Sequence, residues 1–363
     1  MVLHAWSRIE VAEARRLLDA LCDHYSEHGA VTHVDGTARI VVSFGEARLS
    51  VVDGALHAIV ESPDETGLAY MKMGVTSHVL EFAPQPAPTV RWQGDGVSGV
   101  QPPFFRVMQV VSSRRITPHM QRLTLSGQDI GRFAAGGLHI RLVFPPKGRA
   151  PVWPIMGEDG MPVWPEGEDR LVLRVYTIRS IDVAAGTLEV DMVLHPGADT
   201  PGASFAETAR PGDVVGITGP GGGFLPDARR ILLLGDETAL PAMARILENA
   251  APDATATAFI EVDGPAEEQS IAASCKADIR YLHRSGAPAG TTRLLQDALE
   301  SVVAAGIAED LFIWAGCEFD AFKDIRRSVR KDLKVAKDRH LVAAYWRRGA
   351  AGDEARRGAR GED

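Results

Sequence analysis

Cysteine is scarce in this chain and badly spaced for pairing. Cys22, Cys275 and Cys317 are an odd number and lie far apart, which argues against a disulfide framework and against a CxxC metal site. Also missing is any uninterrupted apolar run of the ~18 residues that a membrane span needs, and no charged N-terminal segment leads into an apolar stretch of the signal-peptide kind. The expectation is a cytoplasmic protein without membrane insertion. Nor is there a surplus of positive charge. Lys and Arg number 39 against 48 Asp and Glu, a net charge of −9, which argues against a general nucleic-acid binder. What is present is an ordinary globular composition, 45% hydrophobic and 24% charged, in 363 residues, enough for two or three domains.

The chain divides by pattern. In residues 1–90, Val11, Ala14, Leu17, Leu18, Leu21, Cys22 and Tyr25 fall on one helical stripe. Short β-like runs follow at 38–44, 47–52 and 56–62, then a helix near 66–82, which predicts a small α-β-β-β-α unit. Residues 91–103 continue a Pro- and Gly-rich stretch that begins near Ala83 and reads as a linker. Over 104–226 the apolar runs are short and separated by turns, as in an antiparallel barrel, with one helix near Ser204 to Ala209. Over 227–349 strand candidates alternate with helical segments, the signature of a parallel α/β sheet. Residues 350–363 lack apolar periodicity and read as a disordered tail. The fold class expected is therefore multidomain: a small α+β domain, an antiparallel β-barrel and a C-terminal α/β domain with a parallel sheet.

Two motifs carry chemistry. Arg174-Val175-Tyr176-Thr177 lies in a strand-like run, so alternation points Arg174 and Tyr176 to one face. Together they offer a fixed cation, an aromatic face and, from Thr177, a hydroxyl. Alone the tetrapeptide reads as well as an exposed strand with a cross-strand aromatic. Downstream, His195 ends a strand and Gly202-Ala203-Ser204 opens a helix whose N-terminal amides suit a phosphate, although Ser204 also fits a plain helix cap. The second motif, Gly235-Asp236-Glu237-Thr238-Ala239-Leu240-Pro241, joins the strand RILLLGD to a helix. It has one glycine where the dinucleotide fingerprint GxGxxG has three.

In this order the motifs RVYTIR at 174–179, His195, the turn at 201–205, Gly219-Pro220, GDETALPAM at 235–243 and YWRRG at 345–349 resemble the siderophore-interacting protein family of ferredoxin-reductase-like flavoproteins. The resemblance covers about residues 104–349, and it makes the barrel an FAD-binding domain and the α/β domain an NAD(P)-binding one. It implies that Tyr176 stacks on the flavin, Arg174 contacts the pyrophosphate, Thr177 lies near the redox edge, and Ala203 and Ser204 hold phosphate. It also makes Gly235, Thr238, Ala239 and Pro241 the nicotinamide-nucleotide turn. Asp236 and Glu237 are expected to turn away from any phosphate there or to cap the helix. Cys317 ends a strand where wider relatives carry a cysteine near the nicotinamide; burial as a small hydrophobe is the other reading.

The activity implied is FAD-dependent reduction of a ferric siderophore, with NADH, NADPH or a reduced ferredoxin as donor. A general flavin reductase and a non-catalytic siderophore-binding protein are the readings left beside it. Glu261 and Asp263 end the second strand of the α/β domain, where an acid meets a ribose 2′-hydroxyl, and they read equally well as loop acids. The basic residues after Phe319, among them Lys323 and Arg327, together with Arg347 and Arg348, form a candidate landing surface for the anionic siderophore or an acidic redox partner. A solvated helix face is the plainer account of them. The loop 145–169 carries Trp153 and Trp164 and is long enough to cover the flavin or its adenine. His24 and His28 share a helix face, but no carboxylate completes a site and no bound metal is expected. Residues 1–90 resemble a small domain of unknown function found alone or fused to this family, which supplies no chemistry.

Overall fold

A computed structural model of the chain describes residues 2–27, 29–34, 36–194 and 200–350. His28, His195 and the expected tail beyond 350 lie outside the described residues. Contacts divide the chain into two units, one of residues 1–105 with 145–171 and one of residues 106–144 with 172–363.

The first unit runs β1 (Leu3–Ile9), α1 (Ala14–Tyr25), β2 (Ala30–Val34), β3 (Thr37–Val42), β4 (Gly45–Val52), β5 (Ala55–Ser62), α2 (Glu65–Phe82) and the two-residue β6 (Gln93–Gly94). Its sheet is ordered β2-β3-β4-β5-β1-β6. Helix α1 buries Ala14, Leu17, Leu18, Leu21, Cys22 and Tyr25, the predicted stripe. The three-strand expectation falls short. Strand β1 alternates correctly, but its inward residues include Ala5 and Ser7, too small to stand out, and β2 is a largely exposed edge that packs only Val31 on the core.

The Pro- and Gly-rich stretch is not a free tether. Val90 is buried in the first unit's core, and Lys72 Nζ donates to Asp95 O at 2.5 Å and to Gly96 O at 2.9 Å. The loop 145–171 finds its partners in the same unit. Its small hairpin, β10 (Ile155–Met156) with β11 (Pro162–Val163), places Met156 against Ala69 and Phe104. Trp92 N donates to Glu158 O at 3.0 Å and Thr76 Oγ1 to Asp159 O at 2.7 Å. The loop's described hydrogen bonds and packing are thus those of an N-terminal-unit element.

The second unit begins with β7 (Phe105–Thr117), β8 (Met120–Ser126), β9 (His139–Phe144), β12 (Val172–Asp182), β13 (Thr187–Val193), α3 (Pro201–Thr208) and β14 (Val214–Gly221). These strands close a barrel in the order β12-β13-β8-β7-β14-β9, and α3 lays Ala203 and Ala206 on its core. Then follow β15 (Arg230–Asp236), α4 (Leu240–Asn249), β16 (Thr255–Val262), β17 (Lys276–His283), α5 (Leu294–Ala305), β18 (Leu311–Glu318), α6 (Phe319–Arg327) and β19 (His340–Trp346). The five-stranded sheet is parallel throughout, ordered β17-β16-β15-β18-β19, with α4 packed in one core layer and α5 and α6 in the other. One expectation fails: β16 reaches β17 through a 3₁₀ turn, Pro265–Glu267, with no α-helix between them. Among the described residues no helix is long and apolar enough to cross a membrane.

Barrel and sheet are tied by buried and half-buried polar pairs. Glu267 accepts from Thr117 Oγ1 at 2.5 Å and from His119 N at 3.0 Å. Arg179 grips Glu248 of α4 in a bidentate pair at 2.6 and 2.9 Å. Fork-on-carboxylate geometry fixes orientation as well as distance, so the first barrel-to-sheet helix is held in register.

Candidate functional site

Strand β12 carries Arg174, Tyr176 and Thr177, opposite Leu142, Ile140 and His139 of β9. Tyr176 stands edge-on to Phe144, with centroids 6.5 Å apart at 85°. Its hydroxyl abuts the first turn of α3: a Cβ on Gly202 would stand 1.8 Å from Tyr176 Oη. Only glycine lets helix and ring approach so closely. Burial pushes the Tyr176 phenol above its ordinary value, with Arg174 near enough to pull the other way. The Arg174 guanidinium makes no ion pair among the described residues and donates to Leu173 O at 2.8 Å. A cation without a counterion beside a fixed aromatic ring suits a phosphate and a planar ring system. In α3, Ala203 is buried on the barrel core, while Ser204 is half-buried and donates its N–H to Thr200 O at 2.9 Å.

Thr177 faces elsewhere. It is buried, and its Oγ1 lies 3.2 Å from His139 Nδ1, while His139 Nε2 lies 3.1 Å from Tyr345 Oη of β19. A polar chain therefore runs from the barrel strand into the parallel sheet. Sequence reading missed His139, whose one signal is a histidine opening the mostly apolar strand HIRLVF.

The turn after β15 is closed on itself. Asp236 is 5% exposed; its Oδ1 accepts from Thr238 N at 3.0 Å and Thr238 Oγ1 at 2.5 Å, and its Oδ2 from Trp346 Nε1 at 2.8 Å and Glu318 N at 3.1 Å. Burial, then Glu237, pushes this carboxyl up against the pull of its hydrogen bonds. Glu237 is turned aside into a bidentate pair with Arg284 at 2.7 and 2.8 Å. Gly235 serves packing, since a Cβ there would lie 2.6 Å from Met243 Sδ and 2.8 Å from Ala239 Cβ. Ala239 caps α4 and Pro241 sits in its first turn, both buried, so of the four predicted turn residues Thr238 alone presents a polar side chain, and Asp236 takes it.

Beyond this turn, at the carboxyl ends of β15, β16 and β18, lies a cavity of about 270 Å³. Asp236, Glu261, Cys317, Glu318, Gln296 and Arg348 line it. Cys317 is fully buried, and burial with the nearby carboxylates pushes its thiol well above the ordinary value. It is a poor nucleophile and an apolar wall.

A model described as a siderophore-interacting FAD-binding domain matches residues 109–224, and one described as siderophore-interacting protein matches 228–349. A siderophore utilization protein from T. fusca is 39% identical, with a TM-score of 0.58 over 70% of this chain and 97% of that one. The chain belongs to the siderophore-interacting protein family. Its barrel is the family's FAD-binding domain, and FAD is its cofactor. The NADPH-dependent ferric-chelate reductase of Escherichia coli is 30% identical over 67% of this chain and 92% of its own length. Ferric vibriobactin reductase ViuB of Vibrio cholerae is 29% identical over 68% and 90%. Residues 6–93 match a model described as an uncharacterized protein conserved in bacteria.

In this siderophore-interacting protein the four predicted substrate cations separate into three places. Lys323 and Arg347 converge on one ring, 5.2 and 4.5 Å from the Phe319 centroid, and Lys323 also pairs with Asp320 at 2.9 Å. Arg327 stands a turn away, 3.9 Å from Asp324. Arg348 borders the acidic cavity, its N–H donating to Glu318 Oε1 at 3.0 Å.

Proposed function

We propose that the protein reduces ferric siderophores in the cytoplasm, passing electrons from a nicotinamide nucleotide through FAD to iron. The observation that carries this reading is the barrel clamp: an Arg174 without an ion pair among the described residues and a Tyr176 held against Gly202, in a chain of this family. Oxygen-rich ligands hold Fe(III) because it is a hard, highly charged ion, and reduction weakens that hold, so reduction is a release step. A nicotinamide delivers two electrons as hydride while iron accepts one, and FAD when bound supplies the step between them.

The residues do the positioning. Tyr176 offers a ring face, Arg174 neutralises the cofactor's phosphate, and Ala203 and Ser204 let it approach α3 closely. The Thr177 hydroxyl, oriented by His139, stands at the end of a hydrogen-bonded chain that can hold a proton. Lys323 and Arg347 over Phe319 supply local positive charge for an anionic iron complex in a protein of net charge −9. Three unpaired cysteines accord with a reducing compartment.

Replacing Arg174 or Tyr176 with alanine is expected to weaken FAD binding by about tenfold each. Flavin absorbance relative to protein measures it, and full FAD retention in both variants would sink the clamp. The function itself is tested anaerobically with NADH, NADPH or reduced ferredoxin, a series of ferric siderophores and a ferrous trap. Ferrous iron from one saturable siderophore is expected. Bound FAD with no iron reduced from any pair would refute the reading, and reduction of free flavin alone would make the protein a general flavin reductase.

A further inference from the structure

We propose that the acidic cavity at the carboxyl end of the parallel sheet binds the adenosine ribose of a nucleotide without a 2′-phosphate, which makes the donor NADH. This rests on the reading above that a nicotinamide nucleotide is the donor.

The location follows from topology. Strand β15 is central, β16 and β17 extend to one side and β18 and β19 to the other, so the order reverses between β15 and β18. Ligands of such sheets sit outside the carboxyl ends at that reversal. The cavity opens there, between Asp236 of β15, Glu261 of β16 and Cys317 and Glu318 of β18.

Its chemistry asks for hydrogen-bond donors. Gln296 of α5 is 8% exposed and lines the cavity, yet its Oε1 has no partner among the described residues. A buried acceptor left unmade carries its full desolvation cost, which a ligand hydroxyl would remove. Glu261 is 5% exposed and lies 3.6 Å from Arg284, and burial pushes its carboxyl up against the pull of the Thr292 hydroxyl and Arg284. It ends the second strand, where an acid bonds a ribose 2′-hydroxyl. A vicinal diol supplies two O–H donors and no charge.

A 2′-phosphate meets the opposite conditions. It brings negative charge toward Asp236, Glu261 and Glu318 and offers no obligatory donor. Arg284, the cation that could receive it, is 4% exposed at its side chain and is already held by Glu237 at 2.7 Å. At the rim, Arg293 faces Asp297, Glu300 and Asp324 at 3.6, 3.0 and 3.8 Å. Arg348 lies near Asp320, whose carboxyl is held below the ordinary value first by Lys323 and then by Arg348 and Arg347.

The test is calorimetric titration of the FAD-loaded, oxidised protein with ADP-ribose and with its 2′-phosphorylated form, without iron or turnover. ADP-ribose is expected to bind at least about tenfold tighter. Gln296→Leu should weaken it by about tenfold through one lost hydrogen bond, and Glu261→Gln should shrink the preference between the two ligands. Equal or tighter binding of the phosphorylated form overturns the proposal, as does a folded Gln296→Leu protein with unchanged ADP-ribose affinity. If that variant does not fold, the two wild-type titrations decide. Selective ADP-ribose binding without iron reduction would leave the proposal standing and refute the reductase. Iron reduction from ferredoxin with no ADP-ribose binding would do the reverse.

Discussion

Replacing Gly202 with alanine is expected to lower stability by about 1–3 kcal/mol, the cost of an overpacked site, and to weaken FAD binding by at least about tenfold. The new methyl would stand 1.8 Å from Tyr176 Oη, 3.0 Å from its Cζ and 3.1 Å from Met192 Cε. Helix α3 cannot retreat, because Ala203 and Ala206 are packed into the barrel core. The half-buried Tyr176 ring is the part free to yield, and it leaves its place beside Phe144. Adding Tyr176→Phe removes the colliding oxygen and should restore most of the stability. Thermal melts of the single and double variants, each with and without added FAD, read both effects. A Gly202→Ala protein that melts and binds FAD like wild type would show that the hydroxyl is not fixed against α3.

That contact marks where sequence reading ends. Alternation along β12 put Arg174 and Tyr176 on one face, and the helix after His195 was legible from its small residues and Pro201. The distance between Tyr176 and Gly202 was not, because it depends on how α3 closes the barrel. His139 escaped for a similar reason: its partners Thr177 and Tyr345 are 38 and 206 residues away. Local pattern carries periodicity and turn chemistry, whereas such pairings are set by tertiary packing. Gly235 was read as part of a phosphate turn because of its place between strand and helix. Its neighbours Met243 and Ala239 add that this glycine also lets α4 press onto β15. The loop 145–171 has no periodicity of its own, and its structure comes from Thr76 and Trp92.

Asp236→Ala is expected to cost about 3–5 kcal/mol, as when one partner of a buried charged network is removed. Four donors converge on this carboxylate, two from Thr238, one from Trp346 and one from Glu318. Two of them come from β18 and the edge strand β19, so the side chain pins the far half of the sheet to its centre. Its loss should remove the Trp346 indole's hydrogen bond to β15, next to Tyr345, which reaches the barrel through His139. Urea unfolding with indole fluorescence measures the change, and a wild-type midpoint would refute the pinning role. Asp236→Asn keeps one acceptor oxygen but turns an amide donor toward the others, so a smaller loss is expected. The pH dependence has a definite sign. The folded-state carboxyl is raised to about 7 from an ordinary 3.8, so protonation favours the native state in between. The stability this group contributes is full below its unfolded value and declines as pH rises through about 7. The advantage of wild type over Asp236→Asn should therefore shrink between pH ~4 and ~7 and level off above that. A constant difference across that range would mean that the four donors keep Asp236 ionised throughout.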